Sequence, residues 1–199
     1  MKEIELKEFL EEEKYIDYSS INITRMSEIL FEDCENDKVE CTRRAFRYVR
    51  DHIKHSFDIN ATIITSKASD VLRYGTGLCH AKANLLAAFL RRQGIPTGFC
   101  YQYLTLEEDA SKGYFLHCYN AAYLEGKWVS LDARGNKENV ETHFSLDEPE
   151  IAYVPRVEFG EYNFPGIYKS PHMGVMKLLE EAENLEDLSY HKRTLITIL

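Results

Sequence analysis

The chain has 199 residues, 44% of them apolar and 12% aromatic, which is enough for one sizeable core and too apolar for disorder. Its 24 basic side chains stand against 33 acidic ones, a formal net charge of −9, which argues against a nucleic-acid partner because phosphate recognition needs a concentrated positive surface. The acidic start MKEIELKEFLEEEKY lacks the apolar run of a signal peptide, and no stretch reaches the roughly 18 apolar residues of a membrane span. A cytoplasmic protein with no membrane partner is expected. Five cysteines, Cys34, Cys41, Cys79, Cys100 and Cys118, are odd in number and not densely spaced, so a disulfide framework is not expected.

No repeat, low-complexity tract or linker marks a domain boundary. Residues 20–33 and 39–55 read as amphipathic helices, the second with Ala45, Phe46, Val49 and Ile53 on one side. Its other side carries Arg43, Arg44, Arg47, Arg50 and Lys54, a solvated face. The next helix opens at Cys79 in YGTGLCHAKANLLAAFLRRQGIP and has almost no polar face, so it should be buried. Arg91 and Arg92 in its last turn, Gly94 as a left-handed cap and Pro96 beyond end it after about fourteen residues. Three strand-like runs follow at 97–104, 114–124 and 127–132, rich in aromatic residues and β-formers. Helices first and strands after indicate an α+β fold with an antiparallel sheet. The aromatic, proline-punctuated segment 150–171 precedes a helix expected over 174–185, and the apolar end LITIL, 195–199, is expected to dock on the core.

Cys79 stands where a glycine-flanked turn meets a helix, and free first-turn N–H groups there stabilise a thiolate. Gly75 and Gly77 are read as keeping its approach free of side chains. A thiol nucleophile needs an imidazole partner, and that imidazole needs an orienting group. Between the second and third strands lie only Glu125 and Gly126, which suits a two-residue hairpin. In that register Leu124 faces Lys127 and Asp132 lies opposite Tyr119, so His117 and Asp132 become diagonal neighbours on one face. The carboxylate fixes the imidazole tautomer, His117 partners the thiolate and protonates the leaving amine, and the Cys79 backbone N–H donates to the oxyanion.

At these residues the sequence resembles the transglutaminase-like superfamily. The matching pieces are GTGLCHAKANLLAAFLRRQGIPT, LHCYNAAYLEGKWVSLD and, more loosely, AFRYVRDHIKHSFDI, over roughly residues 40–134. The resemblance implies a papain-like core in which a central helix carrying the nucleophile packs on an antiparallel sheet, with Cys79, His117 and Asp132 as the triad. It further implies acyl transfer, or amide or peptide hydrolysis, through a thioester, on a peptide, protein or small amide substrate, with no cofactor. The chain differs from the family pattern at Cys118, Tyr119 and Ala133, where relatives often carry a small residue, tryptophan and proline. His55 and Asn60 are candidates for the second oxyanion donor. One domain is expected over 1–199, with a helical layer over 1–60, the catalytic core at about 61–140 and a C-terminal extension over 141–199.

Gly77, His80, Tyr119, Tyr162 and Tyr168 are the expected substrate contacts, the last two within an aromatic wall over 152–171. His80 and Lys82 are expected to line the first helical turn. No CxxC or HExxH spacing appears and adjacent Cys79 and His80 are poorly placed to share one ion, so no metal site is expected. The competing reading is a transglutaminase-like fold that serves as a binding or scaffold module without catalysis. Nothing in the chain fixes an oligomeric state.

Overall fold

The structure, a computed structural model, describes residues 6–106, 110–138 and 140–191. Helices α1 (Ile21–Leu30) and α2 (Lys38–His52) come first, the latter capped by the Asp37 carboxylate, which accepts from the Glu40 N–H at 2.9 Å. The two-residue strand β1 (Lys54–His55) follows, then α3 (Ala68–Tyr74), β2 (Thr76–Gly77) and α4 (Cys79–Arg92). Strands β3 (Thr97–Thr105), β4 (Tyr114–Leu124) and β5 (Lys127–Leu131) lead to β6 (Tyr162–Asn163), and helices α5 (Met173–Glu181) and α6 (Leu185–His191) close the described chain. The main sheet runs β5-β4-β3-β6 with every pairing antiparallel. Helices followed by an antiparallel sheet make the α+β fold expected from the sequence.

Helix α4 is central: it packs on β4 and β3 on one side and on α1, α2 and α3 on the other. Its residues from His80 to Arg91 are all buried, which explains the missing polar face. The buried Arg91 guanidinium donates to the carbonyls of Glu11, Thr97 and Lys169, so its charge is solvated by backbone from three distant segments. Gly94 takes the left-handed conformation, φ 66°, and ends the helix as read.

Three boundaries differ from the reading. The first helix, expected over 20–33, ends at Leu30, and Asp33 beyond it is left-handed at φ 65°. The second helix stops at His52 instead of continuing to His55, because Lys54 and His55 pair in parallel with Thr76 and Gly77, through Lys54 N–H to Gly75 O at 2.9 Å and Ser56 N–H to Gly77 O at 3.2 Å. The helix expected over 174–185 breaks after Glu181, because the Asn184 side chain accepts from the N–H groups of Glu186 and Asp187, at 2.9 and 3.1 Å, and starts a new helix. The LITIL segment lies outside the described residues. Among the described residues, no helix is long and apolar enough to cross a membrane.

Candidate active site

The β4–β5 turn fixes the first part of the site. Glu125 and Gly126 both have positive φ, 49° and 83°, the primed turn that matches strand twist, and Leu124 pairs with Lys127. The register continues to Asn120 opposite Leu131, so Asp132 leaves the strand end diagonally across from His117. The His117 Nε2 lies 2.8 Å from Asp132 Oδ2, with both side chains buried. Asp132 also accepts from two backbone N–H groups, Arg134 at 3.1 Å on Oδ1 and Ala152 at 2.9 Å on Oδ2. Three donors hold the carboxylate, and the Nε2 contact leaves Nδ1 of His117 for the thiol side.

Cys79 is the first residue of α4, and Leu78 before it offers no side-chain cap, so the first-turn amides have no intrahelical acceptor. The half-buried thiol is surrounded by imidazoles: the His80 Nδ1 lies 3.3 Å from Sγ, and His117 and His55 line the same cleft. Burial disfavours the thiolate. The charge of His80 and the hydrogen bonds from His117, His55 and His80 outweigh it and hold the thiol well below its ordinary value. For His117 burial likewise opposes the charged form, but the Asp132 carboxylate and its hydrogen bond, with Cys79 behind them, lift it to about 10. The geometry therefore favours a thiolate–imidazolium pair.

The remaining cysteines differ. Burial pushes Cys41 and Cys100 up to about 12 and Cys118 well above the ordinary thiol value. None of these is poised as a nucleophile.

His55 comes to the thiol because β1 pairs with β2, which places it opposite Gly77, two residues before Cys79. Burial holds its pKa below the ordinary imidazole value, so it is neutral at pH 7. Asn60, the other expected oxyanion donor, is exposed in a turn with φ 50° and does not line the cleft. Asp58 and Arg134 face each other across the mouth in a bidentate pair at 2.6 and 2.9 Å, and Lys137 adds a second cation 3.3 Å from the same carboxylate. The cleft that joins these groups to Cys79, His80 and His117 encloses about 280 Å³.

Several expected contacts lie elsewhere. Gly75 closes α3 at φ 66°, and a side chain on Gly77 would meet Ala81 Cβ and Thr65 Oγ1 at 3.2 Å. These glycines let the turn pack tightly on α4; Gly77 does not line the cleft. Lys82 does not line it either, being buried with its ammonium donating to the Ile53 carbonyl. Tyr119 is buried beside Cys100 and Ala121. Tyr162 pairs with Tyr103 on β3, and Tyr168 bridges Phe99 and packs on Tyr101, their rings 5.5 Å apart. Both lie on the sheet edge, outside the cleft. Of the aromatic segment, Tyr153 reaches the cleft, its ring edge-on to His117 at 4.9 Å.

Sequence reasoning missed the Ala152 N–H and the Asp58–Arg134 pair as site components. Tyr153 was expected in the aromatic wall together with Phe159, Tyr162, Phe164 and Tyr168, and of these it is the one that lines the cleft. His80 was expected near the thiol, though not as its nearest ring.

A sequence model of the transglutaminase-like superfamily matches residues 27–133. No curated protein sequence matches the chain. Among solved structures, a candidate cysteine protease from Cytophaga hutchinsonii is similar over 67% of this chain and 43% of its own, at 19% identity and a TM-score of 0.54. A candidate protease from Parabacteroides distasonis ATCC 8503 shares 20% identity over 64% of this chain and 25% of its own, TM-score 0.39. A TGase shares 12% over 66% and 37%, TM-score 0.39. The chain thus spans less than half the length of each of these neighbours. The family match covers more than half of the residues and reaches from α1 through Cys79 and His117 to Asp132, and on it the chain belongs to the transglutaminase-like superfamily.

Proposed function

We propose that the protein is a cysteine-dependent acyltransferase or amidase acting through a thioester on Cys79. The observation that carries this reading is the Cys79 thiol at a helix N-terminus, in one cleft with a His117 that Asp132 holds in one orientation. The Cys79 thiolate attacks the carbonyl carbon of an amide, and a C–S bond forms as the carbonyl oxygen takes the negative charge. The Cys79 backbone N–H and the neutral His55 ring donate to that oxygen. The His117 imidazolium gives its proton to the leaving nitrogen as the C–N bond breaks. Water or an amine then attacks the thioester, His117 takes the proton from the incoming nucleophile, and the thiolate is restored. Asp132 stays ionised throughout and keeps the imidazole tautomer that this exchange requires.

The test is incorporation of a fluorescent primary amine into casein, run beside release of ammonia or free acid from small amides. Wild-type protein turns over at least one of these, and Cys79→Ala loses the activity while keeping its melting temperature. Equal activity in wild type and Cys79→Ala contradicts the reading.

A further inference from the structure

The cleft lining has a charged part, His55, Asp58, Arg134 and Lys137, and an apolar wall, Leu78, Phe115, Tyr153 and Leu178, all half-buried and backed by the buried Val175, Leu179 and Leu188. In α5 the spacing of 175, 178 and 179 places three apolar side chains on one helical face, with Val175 and Leu179 buried and Leu178 left partly open in the cleft. Residues of α5 and α6 lie outside the part of the chain that matches the family, residues 27–133, while Leu78 and Phe115 lie within it.

Resting on the acyl-transfer reading above, we propose that this wall selects an acyl donor with a bulky apolar side chain beside the reactive carbonyl. Half-buried apolar surface inside a concave site gains stability when an apolar group displaces its water. A polar side chain entering there would give up its hydration for few partners, since the polar group of the wall, the Tyr153 hydroxyl, lies beside Arg134. The carboxylate lining the cleft, Asp58, is already engaged by Arg134 and Lys137, so it is poorly free to receive a cationic side chain. At about 280 Å³ the cleft is slightly below the roughly 300–1,000 Å³ of sites that enclose drug-sized ligands, a size suited to one side chain with its carbonyl.

The experiment uses p-nitrophenyl esters of N-acetylglycine, N-acetylphenylalanine, N-acetylglutamine and N-acetyllysine, with hydrolysis by Cys79→Ala subtracted. The thiolate attacks the ester carbonyl, a C–S bond forms, the C–O bond breaks and p-nitrophenolate leaves; water then releases the acid and the thiolate is regenerated. The phenylalanyl ester is expected to exceed the glycyl, glutaminyl and lysyl esters in kcat/KM by about ten- to a hundredfold. Leu178→Asn is expected to lower the phenylalanyl-to-glycyl ratio about tenfold, and Leu178→Met, which keeps the wall apolar, to retain it. A ratio near one in the wild type, with Cys79 still the fastest thiol toward iodoacetamide, overturns this inference alone. No acylation by any ester, together with a Cys79 no faster than the other cysteines, overturns the enzymatic reading and this one with it.

Discussion

Asp132 receives three donors, the His117 ring and the N–H groups of Arg134 and Ala152, and this fixes its angle. Asp132→Asn should keep the shape but remove the charge that lifts His117 to about 10. Turnover at pH 7 should fall by on the order of 10²–10⁴-fold, and the alkylation profile of Cys79 should move to higher pH. The titration of the pair also has a signature in stability. His117, raised from 6.5, adds stability that is fully present below 6.5 and lost as pH rises through about 10, whereas Cys79, depressed from 9.0, adds stability that is present above 9.0 and lost as pH falls toward its depressed value. At this scale Cys79, His117 and Asp132 were legible because a helix start and a two-residue turn are local rules. The Ala152 N–H was not, since nothing local places residue 152 beside residue 132.

The segment that supplies it runs along β3 and is tied down twice. Glu161, buried, accepts from the Thr105 N–H and hydroxyl and from Arg156, while Gln102 donates to Tyr153 O and Asn163 Oδ1 at 3.0 and 2.8 Å. Lower down, Gly98 lets the segment approach the strand: a Cβ there would lie 2.9 Å from Tyr168 O and from Phe9, and would collide with Ile167. Gly98→Ala should therefore cost about 1–3 kcal/mol, read as a lower denaturation midpoint. Tyr168→Ala, which removes the ring packed on Tyr101, should cost about 1–2 kcal/mol with KM unchanged, since Tyr168 lies outside the cleft. A raised KM without loss of stability would return it to the substrate wall expected from sequence. Strands β3 to β5 were legible to within a residue, because alternating aromatic and β-branched residues bounded by turns are a strong pattern. The end of α2 was not, because pairing of β1 with β2 overrides the helical period that runs on through Ile53.

Across the whole molecule, the helix α4 buries a lysine behind the site. Burial holds Lys82 at about 7, against its ordinary 10.5, and Arg134 pushes the same way while Asp132 and Asp58 oppose it. From pH 7 to 10.5 the unfolded chain keeps a proton there that the folded one has released, so stability should rise with pH over this window. The Cys79–His117 pair is common to both proteins, so the comparison isolates the effect: Lys82→Met should reduce the rise in denaturation midpoint between pH 7 and 9 relative to wild type. At the acid end Arg134 holds Asp58 at about 2, so the stability this pair adds is present above 3.8 and lost as pH falls toward 2. The α+β architecture with a buried central helix was readable from element order and from the missing polar face of α4. The part of the apolar lining that α5 and α6 supply was not, because those helices come about a hundred residues after Cys79.

The central claim is that Cys79 is held as a thiolate by its imidazole neighbours, and alkylation measured thiol by thiol as a function of pH tests it most directly. Wild-type protein is treated with iodoacetamide from pH 5 to 9 and each cysteine is quantified by mass spectrometry. The account predicts that Cys79 is modified first at every pH, with an inflection well below the ordinary 9.0 that moves upward in His117→Ala. A Cys79 that reacts no faster than Cys34, Cys41, Cys100 or Cys118, or whose inflection is the same with and without His117, would contradict it.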